Sequence, residues 1–517
     1  NIQVITGLSE ELIEVVKQTE LSIEKILLAP RNEMINICQK MIDEGKEVYI
    51  VSDMYFSSQV LAELLSQCGL KIEKKNIIVS CEKRLNKKEG GLWKYYSEYV
   101  VNGRKAIHVG DDKKSDVEQP IAVGVDAFHV MSEVEMLCSS SVRDVYGIIT
   151  NINESLLVGM VITELFGNPF GLGQFNGKVC FSDKIQWGYC VWGAVIFTFI
   201  QWLIEKSRVK GINRLIFFAR DGYLLQKDYD YYCELRRGWE FPKSDYLYVS
   251  RRTVYIADIV TRESFEEWVE FPYRGKFCDF LKDRFSVNVN SDDLHSNEEI
   301  HVPGDKEKAV RWMQPYMAQV SNVTNEERLN YLQYLETKRL ENGFAVVDIG
   351  YNGNTQKKLS QILHKTLTGL YFYNDLSPEN ECCQKGEMIP CFQSTDDLAA
   401  DQVCLFKYPL LIESLFTAPY GMIISVDEKG MMACAEAGHN QKYFEERILI
   451  NKGIQKYIKD MVDLIGYIDI EKMVGEEIFV DKLFGILFEN STMDVELTKL
   501  FYWDDIIVQR RENGIFS

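Results

Sequence analysis

The residues Ala345–Leu359, AVVDIGYNGNTQKKL, combine an apolar run, one acid, two glycines and small polar side chains ahead of a helix-like repeat. That order describes a strand, a tight polar turn and a helix start. Such a turn aims several backbone N–H groups and the positive end of a helix dipole at one point, where an anion is the usual occupant. Gly350, Asn352, Gly353, Asn354, Thr355 and Gln356 are therefore candidate phosphate-binding residues. Asp348, at the strand end, could orient a hydroxyl or a metal-bound water. The bland alternative is an ordinary strand-to-helix turn whose glycines serve geometry alone.

Further apolar runs end in chemistry. RLIFFA, at 214–219, leads into Arg220-Asp221-Gly222. YLYV, at 246–249, leads into Ser250-Arg251-Arg252-Thr253. Arginines clamp phosphates bidentately, so Arg220, Gly222, Arg251 and Arg252 are candidates for binding a ligand with two separated phosphate groups, with Asp221 as a catalytic carboxylate. Against this stand an internal Arg220–Asp221 ion pair and a solvated Arg251-Arg252 couple. Glu413, in the apolar segment Pro409–Phe416, would pair with an arginine or bind an acceptor hydroxyl.

A second constellation lies in the first quarter of the chain. Expected strands at 47–52, 76–80 and 105–110 are followed by Ser52, by Lys87 (with Lys88 as the alternative) and by the acidic cluster Gly110–Asp116. A hydroxyl that hydrogen-bonds a phosphoryl oxygen, a lysine that neutralises developing charge, and carboxylates that hold Mg²⁺ suit phosphoryl chemistry. Ser52 and Lys87 are the candidate catalytic groups, and Asp111 and Asp116 the candidate metal ligands. Each alone is more often part of a solvated loop.

The chain has 517 residues, 46% of them hydrophobic, so it is long enough for more than one buried core. A formal net charge of −19 argues against a general nucleic-acid binder. The 13 cysteines form no CxxC pair, which favours free thiols in a reducing cytoplasm. Residues 185–204 are apolar enough to be mistaken for a membrane span; a central core helix is the better reading, because a lone span would split one domain across a bilayer. Strands alternating with helices throughout predict an α/β protein with doubly wound parallel sheets. The joint is placed near residue 145, giving domains 1–145 and 146–517. A polar stretch around 291–305 is expected to be a loop or lid.

Ser52, Lys87, Asp111 and Asp116 resemble the second, third and fourth motifs of the haloacid dehalogenase superfamily of phosphatases. No Asp-x-Asp pair, that family's first motif, precedes Ser52. The reading is that the chain starts inside this domain, whose sheet would lack its central strand. These 517 residues are accordingly not expected to hydrolyse phosphate through an aspartyl intermediate. AVVDIGYNGNT also resembles, distantly, the phosphate loop of phosphoribosyltransferases, with one acid in place of two adjacent ones. With FFARDGYLLQ and YVSRRTVY, the whole is similar to dual-domain ribofuranosyltransferases of bacterial surface-polysaccharide assembly. That resemblance implies transfer of 5-phosphoribose from phosphoribosyl diphosphate to a glycan acceptor, with Mg²⁺, followed by removal of the 5-phosphate. It also implies a lipid-linked acceptor and work at the cytoplasmic face of the membrane. Two other readings were open: a phosphatase with a non-catalytic glycan-binding domain, and a scaffold in polysaccharide assembly.

Overall fold

The structure is a computed structural model, and it describes residues 7, 9–290, 292–350, 352–374, 388–393, 402–466, 476–505 and 509–516. It is an α/β protein that divides into two compact units, residues 1–180 with 463–467, and residues 181–462 with 468–517. The joint expected near 145 thus falls at 180. The reason lies in Arg31, whose guanidinium donates to Met131 O (2.8 Å) and Phe166 O (3.2 Å) and pairs with Glu133 (2.9 Å). These bonds, and packing of helix Ile152–Phe166 on helix Glu133–Ser139, keep residues 146–180 with the first unit.

In the first unit, strands β1 (Ile50–Ser52) and β2 (Ile77–Val79) pair in parallel, as do β3 (Ile107–Gly110) and β4 (Asp126–His129). The described strands form these two separate pairs rather than one sheet. On β3, Ile107 and Val109 are exposed.

The second unit opens with α1 (Lys184–Lys210), whose segment Gly188–Trp192 is π-helical. By length and composition this helix could cross a membrane, yet 94% of its most apolar window is buried within the protein. Strand β5 (Arg214–Phe218) leads to α2 (Gly222–Leu235), and β6 (Lys243–Leu247) leads to α3 (Arg251–Asp258). Strand β7 (Phe344–Asp348) precedes α4 (Asn354–Ile362); β8 (Thr368–Tyr373) and β9 (Met388–Phe392) follow. Helices α5 (Pro409–Phe416) and α6 (Phe444–Ile465) come later.

The five strands form one parallel sheet in the order β9-β8-β7-β5-β6. Its central strands read as continuous apolar runs, and Leu215–Phe218 and Ala345–Val347 are all buried, as a sheet covered on both faces requires. Helix α6 lies so close to α1 that a Cβ on Gly188 would run into the carbonyl of Ile450, and one on Gly453 into that of Ile185. Two short strands escaped the sequence reading: Tyr273–Lys276 and Glu299–Val302 pair antiparallel, so part of the expected 291–305 loop is strand; residue 291 lies outside the described residues.

Candidate functional site at the sheet switch point

The chain leaves β5 in opposite directions: β6 lies on one side of it and β7 on the other. In open α/β sheets the crevice for ligands forms beyond the carboxyl ends of the strands where the order reverses. Here those two ends are the Ala219–Gly222 turn after β5 and the Asp348–Gly353 turn after β7.

After β5, Ala219 N–H bonds to Leu247 O (3.0 Å), and Arg220 then takes a left-handed conformation, φ 71°. For a residue with a Cβ this costs about 1 kcal/mol. The Arg220 amide is compensated by a 2.9 Å hydrogen bond to Tyr246 Oη. Asp221 follows and Gly222 starts α2, where a Cβ would press on the backbone and Cβ of Phe217.

After β7, Asp348 folds its carboxylate back: Oδ1 accepts the Ile349 N–H at 2.9 Å, and the Gly350 amide also bonds to the carboxylate. Burial, and then the neighbouring charge of Asp221, push the Asp348 carboxyl up to about 7, although both backbone bonds act in the other direction. The two acids stand at the ends of adjacent strands, where the charge of Asp221 reaches Asp348. The turn is consequently only part of the anion cradle that the sequence suggests, because two of its amides serve Asp348. Further along, Gly353 (φ 62°) is the N-cap residue of α4 and so brings no side chain to that helix end. A Cβ at Gly353 would collide with Met388. Asn352 and Asn354 are exposed and Thr355 is partly exposed at this helix start.

Two sequence candidates are turned away from the site. Gln356 is fully buried, and its Nε2 donates to Leu367 O at 2.8 Å, tying α4 to the segment before β8. Arg252 is also fully buried; it donates to Asp283 O (2.8 Å), Ser286 Oγ (2.8 Å) and Ile424 O, and pairs with Glu327 (2.8 Å). Both positions face inward because the helical repeat that exposes Arg251 and Thr355 buries the next residue. Arg251 is partly exposed, its guanidinium 5.0 Å from the Phe271 ring centroid. Glu413 is half-buried on α5, which packs against α2.

Sequence reasoning did not locate the tyrosines of this site. Tyr246 Oη lies 2.6 Å from Tyr420 Oη, and the Tyr223 ring meets those of Tyr246 and Tyr420 at 6.0 and 6.3 Å. Tyr223 stands three residues after Arg220 and Tyr246 four before Ser250, so their nearness to both strand-end clusters was a signal in the sequence.

In the first unit, Lys87 Nζ and His108 Nε2 bind Asp116 Oδ1 at 2.7 and 3.1 Å, and Asp53 accepts the Lys87 amide through both oxygens at 2.9 Å. Burial would raise the Asp116 carboxyl, but the bonds from His108 and Lys87 outweigh it and bring it to about 2. Gly110 is required at the end of β3, since Asp116 occupies the space a Cβ would need. Ser52 sits partly buried at the end of β1. Lys87 and Asp116 are thus brought together, with Asp53 and His108 as additions. Asp111 is exposed, while Asp116 Oδ1 is held by Lys87 and His108 and its Oδ2 accepts the Asp112 N–H at 3.2 Å. Among the described residues no three His, Cys, Asp or Glu side chains converge as a metal-binding group. Replacing Lys87 by methionine is expected to destabilise the first unit by about 3 kcal/mol, because a buried carboxylate loses its cation. Denaturation of Lys87→Met, Asp116→Asn and the double variant checks this; the double variant should recover part of the loss.

The fold and site define an α/β protein with a carboxylate pair at the switch point of a parallel sheet. No protein-family model matches this chain, and no curated protein matches it either.

Proposed function

We propose that the second unit transfers 5-phosphoribose from phosphoribosyl diphosphate to a hydroxyl of a glycan acceptor, and that the first unit belongs to removal of the remaining 5-phosphate. The observation that carries this reading is the Asp221–Asp348 pair at the carboxyl ends of β5 and β7, with Arg220 beside it. The start of α4, with Asn354 and Thr355, would take the 5-phosphate on its backbone amides. Arg220 and Arg251 serve the diphosphate.

The residues fit Mg²⁺, which binds through one or two carboxylates and the phosphates of its substrate. A buried carboxyl whose charge is further disfavoured by Asp221 is relieved by a cation, and Asp221 would hold it with Asp348 alongside. When bound, Mg²⁺ neutralises charge on the departing diphosphate. In the transfer, the C1–O bond breaks with its electron pair leaving on the diphosphate, and the acceptor oxygen forms the new bond to C1. Asp348 orients that oxygen and takes up its proton. The acceptor is a lipid-linked glycan reached from the cytoplasmic side, an assignment that rests on the resemblance alone.

Calorimetric titration of the full chain with phosphoribosyl diphosphate and Mg²⁺ tests the reading. Binding is expected for the protein and for Asp348→Asn, while transfer by Asp348→Asn falls about 100-fold or more, the usual loss for a proton-handling group. Absence of binding, or unchanged transfer by the variant, overturns it.

A further inference from the structure

Beside the carboxylates lies a tyrosine cluster that phosphate recognition does not use. Tyr246 and Tyr420 join through their hydroxyls at 2.6 Å, and Tyr246 Oη also accepts the Arg220 N–H at 2.9 Å. Tyr223 stands edge-on to both rings and to Phe444, at 6.0 to 6.3 Å. Tyr248 extends the row, 5.8 Å from Tyr246 and 6.1 Å from Tyr334, against which it stacks. Tyr223, Tyr246, Tyr248 and Tyr420 are all partly exposed.

The hydrogen-bond account of the hydroxyl pair is unbalanced. Two phenols carry two O–H protons. One is used between them, and the Tyr246 oxygen takes the Arg220 amide as well. One O–H therefore has no acceptor among the described residues, and a partly buried donor in that position calls for one. Burial pushes both phenols upward, so they stay protonated donors across the physiological range. Arg220 connects this pair to the acids directly: its amide holds Tyr246 and its chain neighbour is Asp221.

The geometry points to Tyr223, Tyr246 and Tyr420 as the acceptor subsite for a neutral pyranose, which rests its apolar face on the exposed rings and accepts the spare hydroxyl proton. The inference rests on the transferase reading for the word acceptor, although the sugar chemistry stands on the tyrosines themselves. Aromatic faces with a polar tip suit a sugar, which has an apolar C–H face and hydroxyl edges. A phosphate would instead seek the amides and arginines at the strand ends, although Lys227 Nζ also stands over the Tyr223 ring, 4.8 Å from its centroid.

Saturation-transfer NMR on the full chain tests it, with methyl α-D-glucopyranoside, methyl β-D-galactopyranoside and N-acetylglucosamine as probes. At least one is expected to receive saturation. Tyr420→Phe, which removes a single oxygen, should weaken its binding about tenfold, the effect of one lost hydrogen bond. Tyr223→Ala should abolish the signal. Both variants should keep the affinity of the parent for phosphoribosyl diphosphate with Mg²⁺, which also reports that they are folded. Three results overturn the inference: no saturation of any probe, saturation indifferent to both substitutions, or loss of diphosphate affinity in step with loss of sugar. Sugar binding that depends on the tyrosines in a protein without affinity for phosphoribosyl diphosphate would leave the subsite standing and remove the donor reading instead.

Discussion

The stability of the protein relative to its Asp228→Asn variant is expected to fall as the pH rises from 4 to 7. Asp228 lies on α2, the helix that begins at Gly222, and it is completely buried. Its carboxylate accepts Asn451 Nδ2 at 2.9 and 2.8 Å and Gln455 Nε2 at 3.0 Å, both from α6. Burial nonetheless dominates and pushes the carboxyl up to about 7, the two amide donors offsetting it only partly. The folded state thus holds a proton that the unfolded chain releases near pH 4. Below pH 4 both states are protonated and the group is neutral for stability. From there to pH 7 each pH unit costs about 1.4 kcal/mol, and above pH 7 the penalty is constant at about 4 kcal/mol. Asparagine cannot ionise, so its variant escapes this cost, at the expense of about 1 kcal/mol for an imperfect match to two amide donors. Urea denaturation of both proteins between pH 5 and pH 8 should show curves that diverge by about 2.5 kcal/mol in favour of the variant. Parallel curves would mean that water or another cation reaches Asp228 in solution. The site depends on this contact, because it anchors the helix that carries Asp221 and Tyr223.

How far the sequence announced this arrangement depends on the range of the interactions involved. The strands at 214–218 and 344–348 were legible because a sheet covered on both faces demands apolar runs, and the turn residues after them mark where each run ends. That the turns carrying Asp221 and Asp348 end adjacent strands was not derivable, since strand order is not written in the local sequence. The inward rotation of Arg252 and Gln356 was hidden for a related reason. Each stands next to a residue that does face the strand ends, and only the phase of its helix decides which of the two is buried. The antiparallel pair Tyr273–Lys276 and Glu299–Val302 was masked because YRGK carries glycine and two charges, and the alternating EIHV is only four residues long beside a polar stretch. The tyrosines could not be placed from the sequence, because a hydroxyl pair formed between residues 246 and 420 leaves no local pattern.

That phase of α3 separates two adjacent arginines by function, and substitution should expose the difference. Arg252→Met is expected to cost about 3–5 kcal/mol of stability, as breaking a buried ion pair does. Its guanidinium ties α3 to helix Phe277–Phe285 through Asp283 O, to the strand at Ile424 and to Glu327 on helix Met317–Thr337. Removing it strands a Glu327 side chain that is only 14% exposed and still holds the Ser286 hydroxyl at 2.8 Å. Methionine fills some of the volume but supplies no donor. Coupling Arg252→Met with Glu327→Leu should return part of the loss, because the uncompensated carboxylate goes with it. Arg251→Ala should instead leave stability within about 0.5 kcal/mol of the parent, as for most partly exposed positions, and weaken phosphoribosyl diphosphate. Denaturant midpoints and calorimetric titration of the two variants check the contrast. Equal stability losses would place both guanidinium groups in the frame of the fold and take Arg251 out of the binding site. A weakened ligand with unchanged stability in Arg252→Met would require α3 to turn by about a hundred degrees, the rotation between successive residues of a helix.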